Sequence, residues 1–105
     1  MEIIKKLSAM IEDELEGAED YVKCALKHRE SHPELAKTFY EISTEEMRHV
    51  NMLHEQVSRL IAQHRKEHGE PPAAMSAVYE YLHERHIEEA AEIKAMQAHY
   101  RESMN

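Results

Sequence analysis

The sequence predicts an all-α protein: an antiparallel hairpin of two long helices followed by a third long helix. The chain of 105 residues contains 2 Gly and 3 Pro, too few for the many turns of a sandwich or a barrel. Between these breakers, apolar residues recur every three or four positions, which is the spacing of one helix face. The length indicates a single domain over residues 1–105, and no segment reads as a strand.

The breaking residues fall in two short segments, which divide the chain into predicted helices at about 2–29, 33–67 and 72–102. Pro33 suits the first turn of a helix, where its missing N–H costs nothing. Gly69 can end the second helix with a positive φ, and Pro71 and Pro72 cannot continue it. Short connections make successive helices antiparallel neighbours.

Composition narrows the classes of partner. The net charge is -8, so nucleic acid and anionic membrane are unexpected partners, whereas cations are plausible ones. The lone Cys24 excludes an internal disulfide and any cysteine-based metal cluster. No apolar run approaches the ~20 residues that span a bilayer, and a reducing, cytoplasmic location is the expectation.

Each predicted helix has an apolar stripe that is interrupted by ionisable residues. The stripe of the first helix is interrupted at Glu14, and that of the second at Glu46 and His49. A carboxylate aimed at an apolar core costs several kcal/mol unless its charge is compensated. A metal ion, a proton or a basic partner could each compensate it. The apolar positions are Ile4, Leu7, Ile11, Ala18, Tyr21 or Val22, and Ala25; then Leu35, Phe39, Ile42, Val50, Leu53, Val57, Leu60 and Ile61; then Met75, Val78, Tyr79, Leu82, Ala90, Ile93, Met96 and Tyr100.

Two further arguments single out these three residues. Glu46 and His49 form a Glu-x-x-His pair within the second stripe, whereas Glu80 and His83 form such a pair about 100° off the third. Residues 14 and 49 are nearly equidistant from the turn near Pro33, so the hairpin should bring them to one level. Carboxylate and imidazole ligands suit iron, manganese and zinc.

The hairpin supplies half of a di-iron site. Ferritin-like bundles use one Glu from each of two helices and Glu-x-x-His from each of the other two. The third helix offers no second inward Glu-x-x-His at the required level, although Glu89 could reach it. Two copies related by a two-fold axis would complete the set. One alternative is a buried hydrogen-bonded network that binds nothing. Another is a non-enzymatic helical interaction module, in which a partner's basic side chains neutralise the acidic residues of the stripes.

Two segments resemble the ferritin-like superfamily, and most of all the encapsulated ferritins. The segment from Glu14 to Tyr21 resembles their first-helix pattern, in which a metal-binding Glu precedes a Tyr by seven residues. The segment from Glu45 to Val50, followed by Met52-Leu53, resembles their second-helix pattern, and the similarity covers roughly residues 7–62. A relative in the rubrerythrin or general ferritin-like group fits nearly as well, without the four-cysteine rubredoxin module.

The resemblance implies a fold, an activity and an assembly. Two hairpins would dimerise into a four-helix bundle with a di-iron centre at the interface, which oxidises Fe(II) with oxygen or peroxide and does not store the mineral. Glu14, Glu46 and His49 would be the metal-binding and catalytic residues, with Tyr21 beside the centre. The implied partners are a second copy, larger homo-oligomers and an encapsulin shell in the cytoplasm, although residues 98–105 do not resemble a targeting peptide. Zn or Mn binding without turnover is a further alternative.

Other polar residues receive weaker assignments. His86 and Glu89 are expected to form a partly exposed or interfacial polar pair, with a secondary metal site as the sharper alternative. Tyr21 could equally be a core aromatic residue. The remaining histidines, His54 and His83 among them, are expected at the surface. Gly17 costs about 1 kcal/mol within a helix and could permit a close approach beside the site.

Overall fold

The computed structural model describes residues 1–104 and confirms the all-α class. The helices are α1 at Glu2–His28, α2 at Pro33–His68 and α3 at Ala73–Ser103. The starts of α1 and α2 agree with the predicted bounds, and every other helix end differs from its predicted position by one residue. No strand is found in the described part of the chain.

The helix ends follow from local sequence. Pro33 begins α2 in its first turn, after His32 in an extended conformation with φ of -142°. Gly69 ends α2 with φ of 77°, a conformation that side chains with a Cβ rarely adopt. The Gly69 N–H donates to the Arg65 carbonyl at 2.8 Å, which satisfies one of the free carbonyls at the helix end.

The first two helices run antiparallel and form the most extensive pairing. Ser43 Oγ donates to the Ala18 carbonyl at 2.7 Å, and His49 Nδ1 lies 3.3 Å from Glu14 Oε2. The residue numbers rise on one helix as they fall on the other, which fixes the register. The molecule is a rod measuring 55 × 19 × 17 Å.

The third helix packs along one side of this pair, mostly against α1. Ile93 joins the main core, and Tyr100 joins a second cluster near the first turn, where it stacks on Tyr40 at 4.7 Å between ring centroids. Gln97 Nε2 donates to Ser43 Oγ at 2.9 Å, so one buried hydrogen-bonded chain joins all three helices. The main core consists of Ile11, Leu15, Ala18, Val22, Met47, Val50 and Ile93.

The buried faces differ from the predicted stripes in an informative way. On α2 the buried residues are Ala36, Ser43, Met47 and Val50, whereas the stripe containing Glu46 and His49 was predicted to be inward. Val50 belongs to the predicted stripe and is buried, whereas Glu46 is half-buried and His49 is exposed in the single chain. On α1 the same shift buries Leu15, which the stripe omitted.

The predicted stripe of α3 is also only partly correct. Ile93 and Tyr100 are buried, but Val78 is 54% exposed. Two polar residues, His86 and Gln97, take buried positions on this helix. The hydrogen bond from Gln97 explains its burial, since a satisfied amide is tolerated in a core.

Candidate metal centre

Glu14, Glu46 and His49 lie together on the face of the hairpin that α3 leaves uncovered. Glu14 comes from the middle of α1, and Glu46 and His49 come from successive turns of α2. Antiparallel pairing brings the two segments to one level, as the equal distances from the turn lead us to expect. The contact between His49 Nδ1 and Glu14 Oε2, at 3.3 Å, joins the two helices at this point.

The two carboxyl groups of this cluster repel one another. Burial raises the pKa of Glu46, and the charge of Glu14 together with a side-chain hydrogen bond to Glu14 raises it further. The charge of His49 lowers the pKa of Glu46 in part, and Asp20 adds a smaller upward effect. A proton shared by the two carboxyl groups or a bound cation would relieve this repulsion.

Gly17 makes room for the Glu46 carboxylate. A Cβ atom added at Gly17 would lie 2.9 Å from Glu46 Cδ and 3.0 Å from its Oε1. Any side chain at position 17 would therefore push the end of the Glu46 side chain aside. Gly17 therefore permits the close approach beside the site that the sequence suggested as one explanation for it. Glycine is otherwise unfavourable in a helix interior.

The cluster is accessible in the single chain. The side chains of Glu14 and His49 are 31% and 50% exposed, and they line a shallow depression of about 350 Å³ with Glu46 and Ile42. Within residues 1–104, no three potential ligands already surround a point that could hold a metal ion.

Tyr21 has an aromatic neighbour, Phe39, within its own chain. Its ring packs on Phe39 with 6.0 Å between centroids. Seven residues separate it from Glu14, which is about 10 Å along a helix axis on the same face. Tyr21 thus extends the uncovered face toward the first turn.

His86 and Glu89 do not form the partly exposed pair that the sequence suggested. His86 is 3% exposed, and its Nε2 lies 3.6 Å from Glu12 Oε1. Glu89 instead accepts a hydrogen bond from Arg85 at 3.2 Å. Glu89 lines a separate acidic depression with Glu12, so it does not reach the Glu14 cluster.

A group of histidines that the sequence did not predict lies between α2 and α3. His54 was expected at the surface, yet its ring centroid lies 5.4 Å from that of His83 and 5.8 Å from that of His86. Burial lowers the pKa of His54, and the charges of the other two rings lower it further. The signal was available in the sequence, because His83 and His86 share one helix side and residues 54 and 86 are equidistant from the second turn.

Comparisons with known proteins give no indication of function. No protein-family model, curated protein or solved structure matches the chain. In the described helices, no stretch is long and apolar enough to cross a membrane.

Proposed function

We propose that this protein is a ferroxidase whose di-iron site forms when two copies pair through the uncovered face of the hairpin. The observation that carries the proposal is the convergence of Glu14, Glu46 and His49 from two helices on one shallow depression. Each chain would supply two carboxylates and one imidazole. A two-fold axis would double this set to the donors of a ferritin-like di-iron bundle.

The surroundings of the cluster support pairing with a second copy. Residues on the same faces of α1 and α2 are large and apolar: Ile3, Met10 and Leu35 are 47%, 44% and 45% exposed. These side chains flank the ionisable cluster along the rod. A second hairpin laid on this surface would bury them, which is the favourable term that drives association. The same contact would remove the metal ligands from bulk water.

The donor set suits the proposed substrate, Fe(II). His49 and the two carboxylates offer imidazole nitrogen and hard anionic oxygen, and the latter favour Fe(III) over Fe(II). Oxidation by oxygen would remove one electron from each of two Fe(II) ions. Oxygen would accept both electrons with two protons and leave as hydrogen peroxide. The acidic surface, at a net charge of -8, would raise the local concentration of cations.

Anaerobic titration with Fe(II), followed by oxygen, tests this function. We expect saturation at about one iron per chain, from the two-metal site of a symmetric dimer, and a near-ultraviolet ferric band after oxygen is admitted. Glu46→Ala should abolish saturable binding while helicity is retained. Glu55→Ala removes the same charge from an exposed site on the same helix and serves as the matched control.

The outcomes separate the alternatives. Zn or Mn binding without iron oxidation would indicate a ferritin-like metal binder without turnover. Absence of all binding would indicate a helical interaction module. Unchanged binding by Glu46→Ala would overturn the ligand assignment.

A further inference from the structure

Three histidines lie on the side of the hairpin away from the proposed iron site. His54 projects from α2, and His83 and His86 project from α3. His54 follows His49 by five residues, which places it about 140° around the helix. The proposed ferroxidase function does not use these residues.

His86 carries the strongest indication that this group binds something. The residue is 3% exposed, and its Nε2 atom is buried without a hydrogen-bond partner. The nearest acidic oxygen, Glu12 Oε1, lies 3.6 Å away, which is too far for a hydrogen bond. Buried polar atoms are nearly always satisfied in folded proteins, so this nitrogen requires a partner, which either a shift of the Glu12 side chain or a bound ion supplies.

Two of the ring separations are close to those around a shared metal ion, although the three side chains do not yet surround a point that could hold one. Three imidazoles that bind one Zn²⁺ at about 2.1 Å in tetrahedral geometry have ring centres roughly 5 Å apart. The observed separations from His54 are 5.4 Å to His83 and 5.8 Å to His86. The rings now meet edge to face, so binding requires them to turn about their side-chain bonds. His83 and His86, three residues apart, project to one side of α3.

The location gives an ion both access and a fourth ligand. The three histidines are among the residues that line a cavity of about 420 Å³ between the helices. His83 is exposed and His54 is half-buried, which leaves a path from solvent to His86. Glu12 lines the neighbouring acidic depression, and its Oε1 atom lies 3.6 Å from His86 Nε2, so it can supply a carboxylate oxygen from that side. A donor set of three imidazoles and one carboxylate favours zinc over magnesium and calcium.

We infer that His54, His83 and His86, with Glu12, form a second cation site of the zinc class that fastens α3 to the hairpin. The ligands come from all three helices, so a bound ion joins the N-terminal half of α3 to both α1 and α2. An ion that binds the folded chain and not the unfolded one raises stability with its concentration. The site is independent of the pairing of two copies.

Zn²⁺ titration of the full chain in a Glu46→Ala background tests the inference, because that change disables the proposed iron site. We expect one Zn²⁺ per chain by calorimetry and a thermal midpoint that rises with Zn²⁺. His83→Gln and His54→Gln should each weaken binding by roughly 10-fold or more, since loss of a ligand costs no less than loss of its supporting group. Co²⁺ bound in place of Zn²⁺ should give the visible absorption of tetrahedral cobalt, and both variants should lose it.

A matched control distinguishes this site from loose surface binding. His64→Gln removes another α2 histidine, whose ring lies 4.9 Å from that of His68, and it should leave the high-affinity Zn²⁺ isotherm unchanged. Far-UV circular dichroism of each variant checks the fold. Equal affinity before and after His83→Gln and His54→Gln, or affinity lost only with His64→Gln, would overturn the inference. Because Glu46 is absent throughout, either result stands apart from the fate of the ferroxidase proposal.

Discussion

The chemistry of the proposed centre depends on how closely two helices approach at one glycine. Gly17 leaves space for the Glu46 carboxylate, which would otherwise collide with a Cβ atom. The obstruction concerns the end of a flexible side chain and not the backbone, so a larger residue would move Glu46 without separating the helices. Replacing Gly17 with a larger helix-favouring residue should therefore raise the stability of the fold and weaken metal binding.

Gly17→Ala tests that opposition. Alanine is favoured over glycine in a helix interior by about 1 kcal/mol, which corresponds to a rise of roughly 4–8 °C in the thermal midpoint of a chain this size. Fe(II) affinity should fall, because the Glu46 carboxylate is displaced from Glu14. Thermal unfolding and anaerobic Fe(II) titration of the same preparation measure both effects. A stabilised variant with unchanged Fe(II) affinity would contradict the role given to Gly17.

Glu46 should also make the metal-free protein sensitive to pH. Its pKa is raised in the folded state, so the folded chain binds more protons than the unfolded chain, and this group lowers stability as pH rises above its ordinary pKa of 4.5. Glu46→Gln should raise the thermal midpoint of the metal-free protein at pH 7 by roughly 2–4 °C. The difference should shrink as pH falls below the ordinary pKa of Glu46, 4.5, where this carboxyl group is protonated in both the folded and the unfolded chain. A variant less stable than the parent at pH 7 would contradict the repulsion.

At the scale of elements, a buried hydrogen-bonded chain fixes how the third helix meets the other two. Ser43 donates to the Ala18 carbonyl and accepts from Gln97, with all the side-chain groups buried. This arrangement also explains why the buried face of α2 differs from the predicted stripe. The helix α3 covers the face that contains Ser43, whereas apolar spacing alone selects the adjacent face.

Ser43→Ala should loosen α3. The Gln97 amide would lose its acceptor within the core, at a cost of about 1–3 kcal/mol. Denaturant unfolding should show this loss, whereas Thr44→Ala, which removes a hydroxyl bonded only to its own helix at Glu41, should cost less than about 0.5 kcal/mol. Equal losses from the two substitutions would show that the chain through Ser43 does not hold α3.

The sequence was sufficient for some features of these elements and not for others. Pro33 and Gly69 determine the helix ends, because their backbone restrictions act locally. The level shared by Glu14 and His49 follows from counting residues outward from the turn. The burial of each face could not be predicted, since α2 has two partly apolar faces and its packing against α1 and α3 together selects one. The environment of His86 Nε2 could not be predicted either, because its charged neighbour, Glu12, comes from a distant part of the chain.

At the scale of the whole molecule, the proposal requires a second copy on the uncovered face. Met10→Glu places a charge there, at a residue that is 44% exposed in the single chain. It should convert a dimer into a monomer in sedimentation at micromolar protein and abolish saturable Fe(II) binding. Ile87→Glu makes the same kind of change at a residue of α3 that is 54% exposed, and it should leave assembly intact. Dissociation by Ile87→Glu alone would place the interface on α3 instead.

Anomalous diffraction at the iron edge, from crystals grown with Fe(II), tests the central claim most directly. We expect two iron positions close to a two-fold axis, each within about 2.5 Å of a carboxylate oxygen or imidazole nitrogen from Glu14, Glu46 or His49, with both chains contributing. Iron bound within a single chain, or no iron at these residues while the protein is saturated, would contradict it.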